Sequence, residues 1–444
     1  MASSTGRLGR TEDRVLDAIA LVATGIASDV ALDRIFRAAR DLGPSERAEV
    51  SRSVYAVIRS WRKVDAALAR GVAACGRKLE ELEPAILNRL RVLATKRLEG
   101  VDDSALETSD PYAFKRIPGL FKRIRFDVPS ELSARSIAES CSLPDFFVAR
   151  LERSRGLAEA DQIARALAGR APLTLRAGPD EREAVRAELR DELGLELELT
   201  PLSPWGLIVA EESAPIRGTR AFAEGRVEPM DEGSQLVALA LGARPEESVL
   251  DACAGAGGKT LAIAAMMRGT GRIVAVDPDP AKLEELRRRA RRAKLNDIET
   301  LAADVRELPV GLVGRFDRVL VDAPCTGSGT WRRAPDASLR LEESEIASFV
   351  GLQTTILHGA TRALRAGGLI VYATCSVLDE ENEQVVRAIL ARLPELAPES
   401  LERTMGTELA GRLGATFEAR VGPGPGARGP DGFYFAAFRK RLED

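Results

Sequence analysis

Apolar positions recur at helical spacing through most of residues 11–145. Arg14–Ala23 and Ala31–Leu42 each carry one apolar stripe. Gly43-Pro44-Ser45 ends one helix and opens the next, since proline and serine suit a first turn. Glu46–Val64 and Glu83–Leu98 continue the pattern, the latter with Pro84 in its first turn. Strand-like alternation is absent here, so the segment reads as all-helical.

The rhythm changes at 172. Pro172–Arg176 reads as a strand, Glu181–Leu193 as a helix, and Leu195–Leu199 and Trp205–Ala210 as two more strands. That order suggests a small α+β unit of ferredoxin-like or RRM-like type. From about 230 onward, strands alternate with helices. The strands are Ser248–Asp251, Arg272–Asp277, Glu299–Ala302, Phe316–Asp322 and Gly368–Thr374. The helices are Lys259–Met267, Pro280–Ala293, Ser344–Leu364 and Asp379–Leu393. Short apolar strands between helices predict a parallel, doubly wound α/β sheet, whose ligands bind beyond the carboxyl ends of the strands. Gly422–Pro430 reads as a loop and Phe433–Phe438 as a terminal strand closing one edge. No internal repeat is evident. Three domains are expected: 1–145, 146–225 and 226–444.

Composition adds limits. The 444 residues are 45% hydrophobic and 30% charged, which suits a folded globular chain and excludes wholesale disorder. Neither a signal region nor a membrane span is visible, so the cytosol is the expected location. Net charge is −3 overall. By segment it is +4 over 1–150, −4 over 151–225 and −3 over the remainder, so an anionic partner would favour the N-terminal part. The five cysteines, Cys75, Cys141, Cys253, Cys325 and Cys375, form no CxxC pair, and neither a metal site nor a disulfide framework is expected. The lone histidine, His358, lies in a predicted helix and reads as structural.

One segment brings chemistry. In Val249-Leu-Asp251-Ala-Cys253-Ala254-Gly255-Ala256-Gly257-Gly258-Lys259-Thr260, a buried strand ends in an acid and a glycine loop opens a helix. Glycines let a ligand approach the backbone closely, and the helix offers free N–H groups. Asp277 ends the second strand about 20 residues on, where an acid commonly binds ribose hydroxyls. Asp304 follows the third strand. A phosphate-binding P-loop would need glycine where Cys253 stands, and a dinucleotide loop would need glycine where Thr260 stands. A nucleoside cofactor without pyrophosphate fits the acids and the loop, and S-adenosyl-L-methionine is such a cofactor.

Two further segments end strands in cysteine: Asp322-Ala-Pro324-Cys325-Thr-Gly327 and Ala373-Thr374-Cys375-Ser376. Both cysteines fall at the sheet edge where the glycine loop lies. A lone buried cysteine is usually inert core, but two at matching strand ends beside a cofactor loop point to chemistry.

On these motifs, Val227–Phe438 resembles the RNA 5-methylcytosine methyltransferases of the NSUN/RsmB superfamily. More loosely, Asp41–Arg47 and Val54–Asp65 resemble the NusB-like domain of RsmB-type (Fmu/Sun) 16S rRNA enzymes. The resemblance implies a class I (Rossmann-like) methyltransferase domain after an RNA-binding helical domain. It implies Cys375 as the nucleophile on cytosine C6, Cys325 as the group releasing product, and Asp322 on the base. It implies S-adenosylmethionine held by Cys253–Lys259, Asp277, Asp304 and Asp322. The sequence departs where Gly255-Ala256 replaces the family's Ala-Pro, and where Ala337-Ser338-Leu339 follows Pro335-Asp336.

The expected partner is 16S rRNA, with tRNA second, and the expected state is a monomer. A silent RNA-binding or assembly factor is the alternative from another class, and a nicotinamide oxidoreductase is a remote one. Tyr112–Phe126, with five basic residues, offers cations to phosphates and aromatics to bases. The run Arg287–Arg292 reads mainly as a solvated face. Trp331-Arg332-Arg333 is expected to meet substrate.

Overall fold

The computed structural model describes residues 9–127, 131–210, 214–295, 297–424 and 428–442. The chain divides into two compact units: residues 1–168 with 333–341, and 169–332 with 342–444.

The first unit is helical. Pro44 opens a helix that runs to Ala73, longer than its sequence stripe suggests, and Pro84 opens Pro84–Leu98. These helices bury Val64, Leu68, Leu90 and Leu93 together. Helices continue past 145 through Asp145–Arg155 and Leu157–Ala168, because Phe147, Val148, Leu151 and Ile163 bury one apolar face. The segment 333–341 belongs to this unit. There Asp336 accepts hydrogen bonds from Ser28 Oγ at 2.6 Å and Ser28 N at 3.2 Å.

The aromatics of Tyr112–Phe126 turn inward. Phe114 and Phe121 stack at 4.2 Å, and Ile117, Leu120 and Ile124 are buried around them. Apolar residues at this spacing gain more from burial than from exposure, so this stretch offers cations but few free rings.

The second unit opens with four antiparallel strands, β1 (Leu173–Ala177), β2 (Leu197–Leu199), β3 (Gly206–Val209) and β4 (Val227–Pro229), in the order β2-β3-β1-β4. Arg182–Leu193 connects β1 to β2. This is the order of a ferredoxin-like unit. Its fourth strand, only three residues long, has too little pattern to announce itself.

Among the described residues, eight strands form the large sheet. They are β5 (Ser248–Asp251), β6 (Arg272–Asp277), β7 (Ile298–Ala302), β8 (Phe316–Asp322), β9 (Leu364–Thr374), β10 (Leu396–Pro398), β11 (Glu418–Val421) and β12 (Phe433–Lys440). The order is β10-β12-β9-β8-β5-β6-β7, with β11 also on β12. Strands β5 to β9 pair in parallel, and β12 runs antiparallel to β9. Apolar cores cover both faces: Leu250, Val274 and Val319 point to one, Val249, Ile273 and Leu320 to the other.

The chain runs β5-β6-β7 to one side and then crosses to β8-β9 on the other. The switch point between β5 and β8 therefore opens a crevice at the carboxyl ends. The middle of the Gly422–Pro430 loop, 425–427, lies outside the described residues, as do residues 1–8. Among the described residues no helix is long and apolar enough to cross a membrane.

Candidate active site

The glycine loop joins β5 to the helix Gly258–Met266. Gly257 caps that helix with φ +86°, a backbone that glycine adopts freely. A side chain there would also strike buried Leu286, whose Cγ lies 2.5 Å from the position of a Cβ. Gly255 also has positive φ, but a Cβ there would meet no atom within 4 Å, and the same holds at Gly258. The loop is thus packed on one side and open on the other. Gly255 N donates to Asp277 Oδ2 at 2.9 Å, which ties the loop to the end of β6.

Four carboxylates gather here. The charges of Asp251, Asp322, Asp277 and Asp304 all reach Cys253, and burial, the largest effect, pushes its thiol well above the usual range. Cys253 is therefore a poor nucleophile. Asp251 is fully buried, and burial raises its pKa to about 6 despite a 2.7 Å hydrogen bond from Thr260 Oγ1. Its other oxygen, Oδ1, has no partner.

Asp304 sits differently from the other acids. Its carboxylate receives Arg306 N at 2.9 Å and the Arg306 guanidinium, which lowers its pKa. Lys259 is the positive counterweight. Its Nζ donates to Asp322 Oδ2 at 2.6 Å and lies 5.3 Å from the Phe433 ring centre. Burial opposes the charged form of Lys259, but Asp322 outweighs it and the pKa is raised.

Beyond β8 and β9, the two cysteines meet. Cys325 Sγ and Cys375 Sγ are 3.4 Å apart, and both thiols are free. The contact with Cys375, then burial, hold the pKa of Cys325 well above the ordinary thiol range. The adjacency follows from the sheet: Asp322 pairs with Ala373 across β8 and β9, so the residues after each strand emerge side by side. Lys259 senses the charge of Cys375, which places the loop lysine beside the cysteine pair.

The sequence reading missed the group that holds both cysteine loops, Glu381. It is fully buried. Its Oε1 accepts from Thr326 N and Gln353 Nε2, both at 2.9 Å. Its Oε2 accepts from Thr326 Oγ1 at 2.6 Å and from Ser376 Oγ. Thr326 follows Cys325 and Ser376 follows Cys375, so one carboxylate pins the residue after each thiol. The expected helix from Asp379 begins at Glu383, and the turn before it aims Glu381 inward. An acid in an amphipathic segment reads as solvated, and only this turn reveals otherwise.

Trp331 and Arg332 correct an expectation. Both are buried, and Arg332 is ion-paired to Asp431 and donates to Gly429 O. A buried arginine must be paired, so this pair anchors the loop after Cys325 rather than meeting substrate.

A glycine-lined loop at the switch point of a mixed sheet, ringed by acids, defines a class I methyltransferase. The acids suit S-adenosylmethionine: surplus carboxylates and an orphaned acceptor favour a cationic ligand, and the open side of Gly255 and Gly258 leaves room for it. Comparison with known proteins agrees. Residues 238–439 match the family model described as 16S rRNA methyltransferase RsmB/F. The chain is 32% identical over 335 residues to the probable ribosomal RNA small subunit methyltransferase B of Bacillus subtilis (strain 168), covering 73% of each chain. It is 29% identical over 438 residues to the counterpart from Synechocystis sp., covering 93% of this chain and 95% of that one. A crystal structure of a methyltransferase homolog protein from Pyrococcus horikoshii superposes with a TM-score of 0.58 at 27% identity, over 70% of this chain and 99% of that one. The chain belongs to the RsmB/F family of 16S rRNA methyltransferases and uses S-adenosylmethionine.

Proposed function

We propose that this enzyme methylates C5 of a cytosine in 16S rRNA, with Cys375 as nucleophile and Cys325 as the group that frees the product. The observation that carries this reading is the 3.4 Å approach of two free thiols beside the Lys259–Asp322 pair.

The bound cofactor supplies an electrophilic methyl group on a sulfonium. Cys253–Lys259 would line its methionine end, Asp277 its ribose and Asp304 its adenine. Cytosine C5 is a weak nucleophile. Addition of the Cys375 thiolate to C6 opens the C5–C6 double bond and makes C5 enamine-like. Asp322 would hold the base through N3 or the amino group and stabilise the charge that addition creates.

Once C5 carries the methyl, its proton must leave and the C6–S bond must break. Cys325 is suited to this by its coupling. While Cys375 is a free thiol or thiolate, Cys325 is held protonated. When Cys375 becomes a neutral thioether, the largest of these restraints is gone; Cys325 gives its proton to solvent and, as the thiolate, takes the C5 proton while the C6–S bond breaks and the Cys375 thiolate departs.

The target base must be unstacked to be reached, so a loop or flipped cytosine is expected. The helical segment 1–145 would hold RNA, and residues 146–225 would link it to the catalytic segment 226–444, with the enzyme acting in the cytoplasm. The test is methyl transfer from labelled cofactor to unmethylated 16S rRNA and to tRNA, followed by nucleoside analysis. 5-Methylcytidine in rRNA alone supports the reading, label in tRNA alone replaces the substrate, and label in neither refutes it.

A further inference from the structure

Arginines collect at one place in the second unit, although residues 151–225 carry net negative charge. A cleft of about 420 Å³ lies between the ferredoxin-like unit and the helix Pro280–Arg292, lined by Arg217, Phe222, Ala256, Arg288, Arg289 and Arg292.

The basic run of that helix divides. Arg287 and Arg291 pair with Glu284 on the outer face. Arg289 and Arg292 turn inward to the buried carboxylate of Glu228. Arg292 also lies over the Phe222 ring, 4.0 Å from its centre. Beside them Arg176, opposite Glu228 in the β1–β4 register, is fully buried and its Nε has no partner. Burial lowers its pKa to about 10, Glu228 supports its charge, and Arg289 opposes it.

Arg288 reaches Glu285, while exposed Arg217 has no hydrogen-bond or ion-pair partner among the described residues. The guanidinium groups of Arg176, Arg288, Arg289 and Arg292 thus share two carboxylates, Glu228 and Glu285, and Arg217 adds a fifth cation with none. Buried positive charge without a counterion is unfavourable, so this arrangement calls for an anion. Guanidinium forks and an open cleft suit the oxygens of phosphate.

We infer that this cleft binds backbone phosphates of the RNA substrate, on the flank of the cofactor loop. The inference rests on the RNA reading above and adds the site. Arg289 Nη1 donates to Ala256 O at 2.7 Å, so the same arginine that faces the phosphate also braces the glycine loop. RNA held here is registered against the cofactor, which positions a strand without reading its sequence.

The test uses the full chain and an in vitro transcript of unmethylated 16S rRNA, with binding measured by filter retention from 50 to 400 mM KCl. In R217A/R288A, both altered side chains are exposed, and the dissociation constant is expected to rise about tenfold at 100 mM salt. The slope of log K against log salt is expected to fall by about 1.4, the loss of two single-strand phosphate contacts. R217K/R288K should recover most of the affinity, because lysine still offers a point charge to phosphate. S-adenosylmethionine affinity should change less than twofold, which reports an intact loop. Should the double variant unfold, R217E alone carries the test, because Arg217 is exposed and has no hydrogen-bond or ion-pair partner among the described residues to lose. If these variants match the unaltered enzyme in affinity and salt slope, the phosphate site is overturned and the RNA reading stands. If the unaltered enzyme neither binds nor methylates RNA, the RNA reading falls and the site falls with it.

Discussion

Cys325 and Cys375 stand 50 positions apart in sequence, and their sulfur atoms lie 3.4 Å apart. Neighbouring parallel strands bring them together, and the separation exceeds the ~2.0 Å of a disulfide. Two thiols this close do not ionise independently. The contact with Cys375, and burial behind it, favour the protonated thiol at Cys325, and the proposed mechanism divides nucleophile from releasing group between the two sulfurs.

That division sets the first prediction. Cys375→Ala removes the nucleophile, and methyl transfer should fall by about a thousandfold or more. Cys325→Ala leaves addition and methylation intact but blocks release. A denaturing gel of Cys325→Ala with cofactor and 16S rRNA should show protein covalently attached to RNA, and the double variant should show none. An adduct in Cys375→Ala would reverse the two assignments.

Glu381 gives the second. Its replacement by alanine orphans Thr326 N and leaves Gln353 Nε2 with its hydrogen bond to Pro324 O alone, at about 1–3 kcal/mol for each unsatisfied buried N–H. Both cysteine loops lose their shared anchor, and small misplacement of reacting groups costs about a hundredfold in rate. Glu381→Gln can keep its oxygen toward those two donors and turn its amide to the Thr326 and Ser376 hydroxyls, which can accept as well as donate. The expected result is a fall in kcat of about a hundredfold for Glu381→Ala and less than tenfold for Glu381→Gln, with cofactor affinity unchanged in both. Equal losses in kcat and cofactor affinity would reduce Glu381 to a general folding role.

The site was legible in sequence where chemistry coincides with strand ends. Asp251, Asp277 and Asp322 each close a strand, Cys375 follows one directly and Cys325 lies three residues past one, and the glycine loop follows the first of these strands. Glu381 was not legible, because nothing local separates a buried acid from a solvated one on a short turn. Arg332 misled for the converse reason: its partner Asp431 is 99 residues away, and sequence proximity to Cys325 suggested substrate instead. The short strands β4, β10 and β11 have too few residues to show a period, and only pairing with β1 and β12 defines them. Helix and strand limits near 361–364 shifted because Leu364 pairs with Phe316 ahead of a register irregularity in β8.

The cofactor loop supplies the third prediction, a contrast between two glycines. Gly257→Ala forces a methyl group against buried Leu286 and strains a left-handed backbone, so both stability and cofactor binding should fall. Gly255→Ala meets open space and keeps the N–H that donates to Asp277. Its penalty is the left-handed backbone alone, about 1 kcal/mol. Titration calorimetry with S-adenosylmethionine should find binding weakened about tenfold or more in Gly255→Ala with stability nearly kept, because its methyl group enters the space left for the ligand, and binding lost together with stability in Gly257→Ala. Unchanged binding in Gly255→Ala would mean that the ligand does not use that open space.

Asp251 makes stability and cofactor affinity depend on pH in opposite senses. Its pKa is about 6 in the folded chain against 3.8 for the ordinary side chain, burial being the first cause. Between those values the native state binds more protons than the unfolded one, so this residue's contribution to stability is complete below pH 3.8. It is lost as pH rises through 6, by about 3 kcal/mol in all. Asp251→Asn removes the titration. The stability of the variant relative to the unaltered enzyme should therefore improve by about 1–1.5 kcal/mol between pH 5 and 7.5, read from denaturant midpoints at each pH. A cationic ligand among the acids works the other way, because it favours ionised Asp251. Affinity for S-adenosylmethionine should rise as pH climbs from 5 to 7 and level off above, and Asp251→Asn should flatten that rise. A variant that keeps both pH dependences would show that Asp251 is not the group that titrates there.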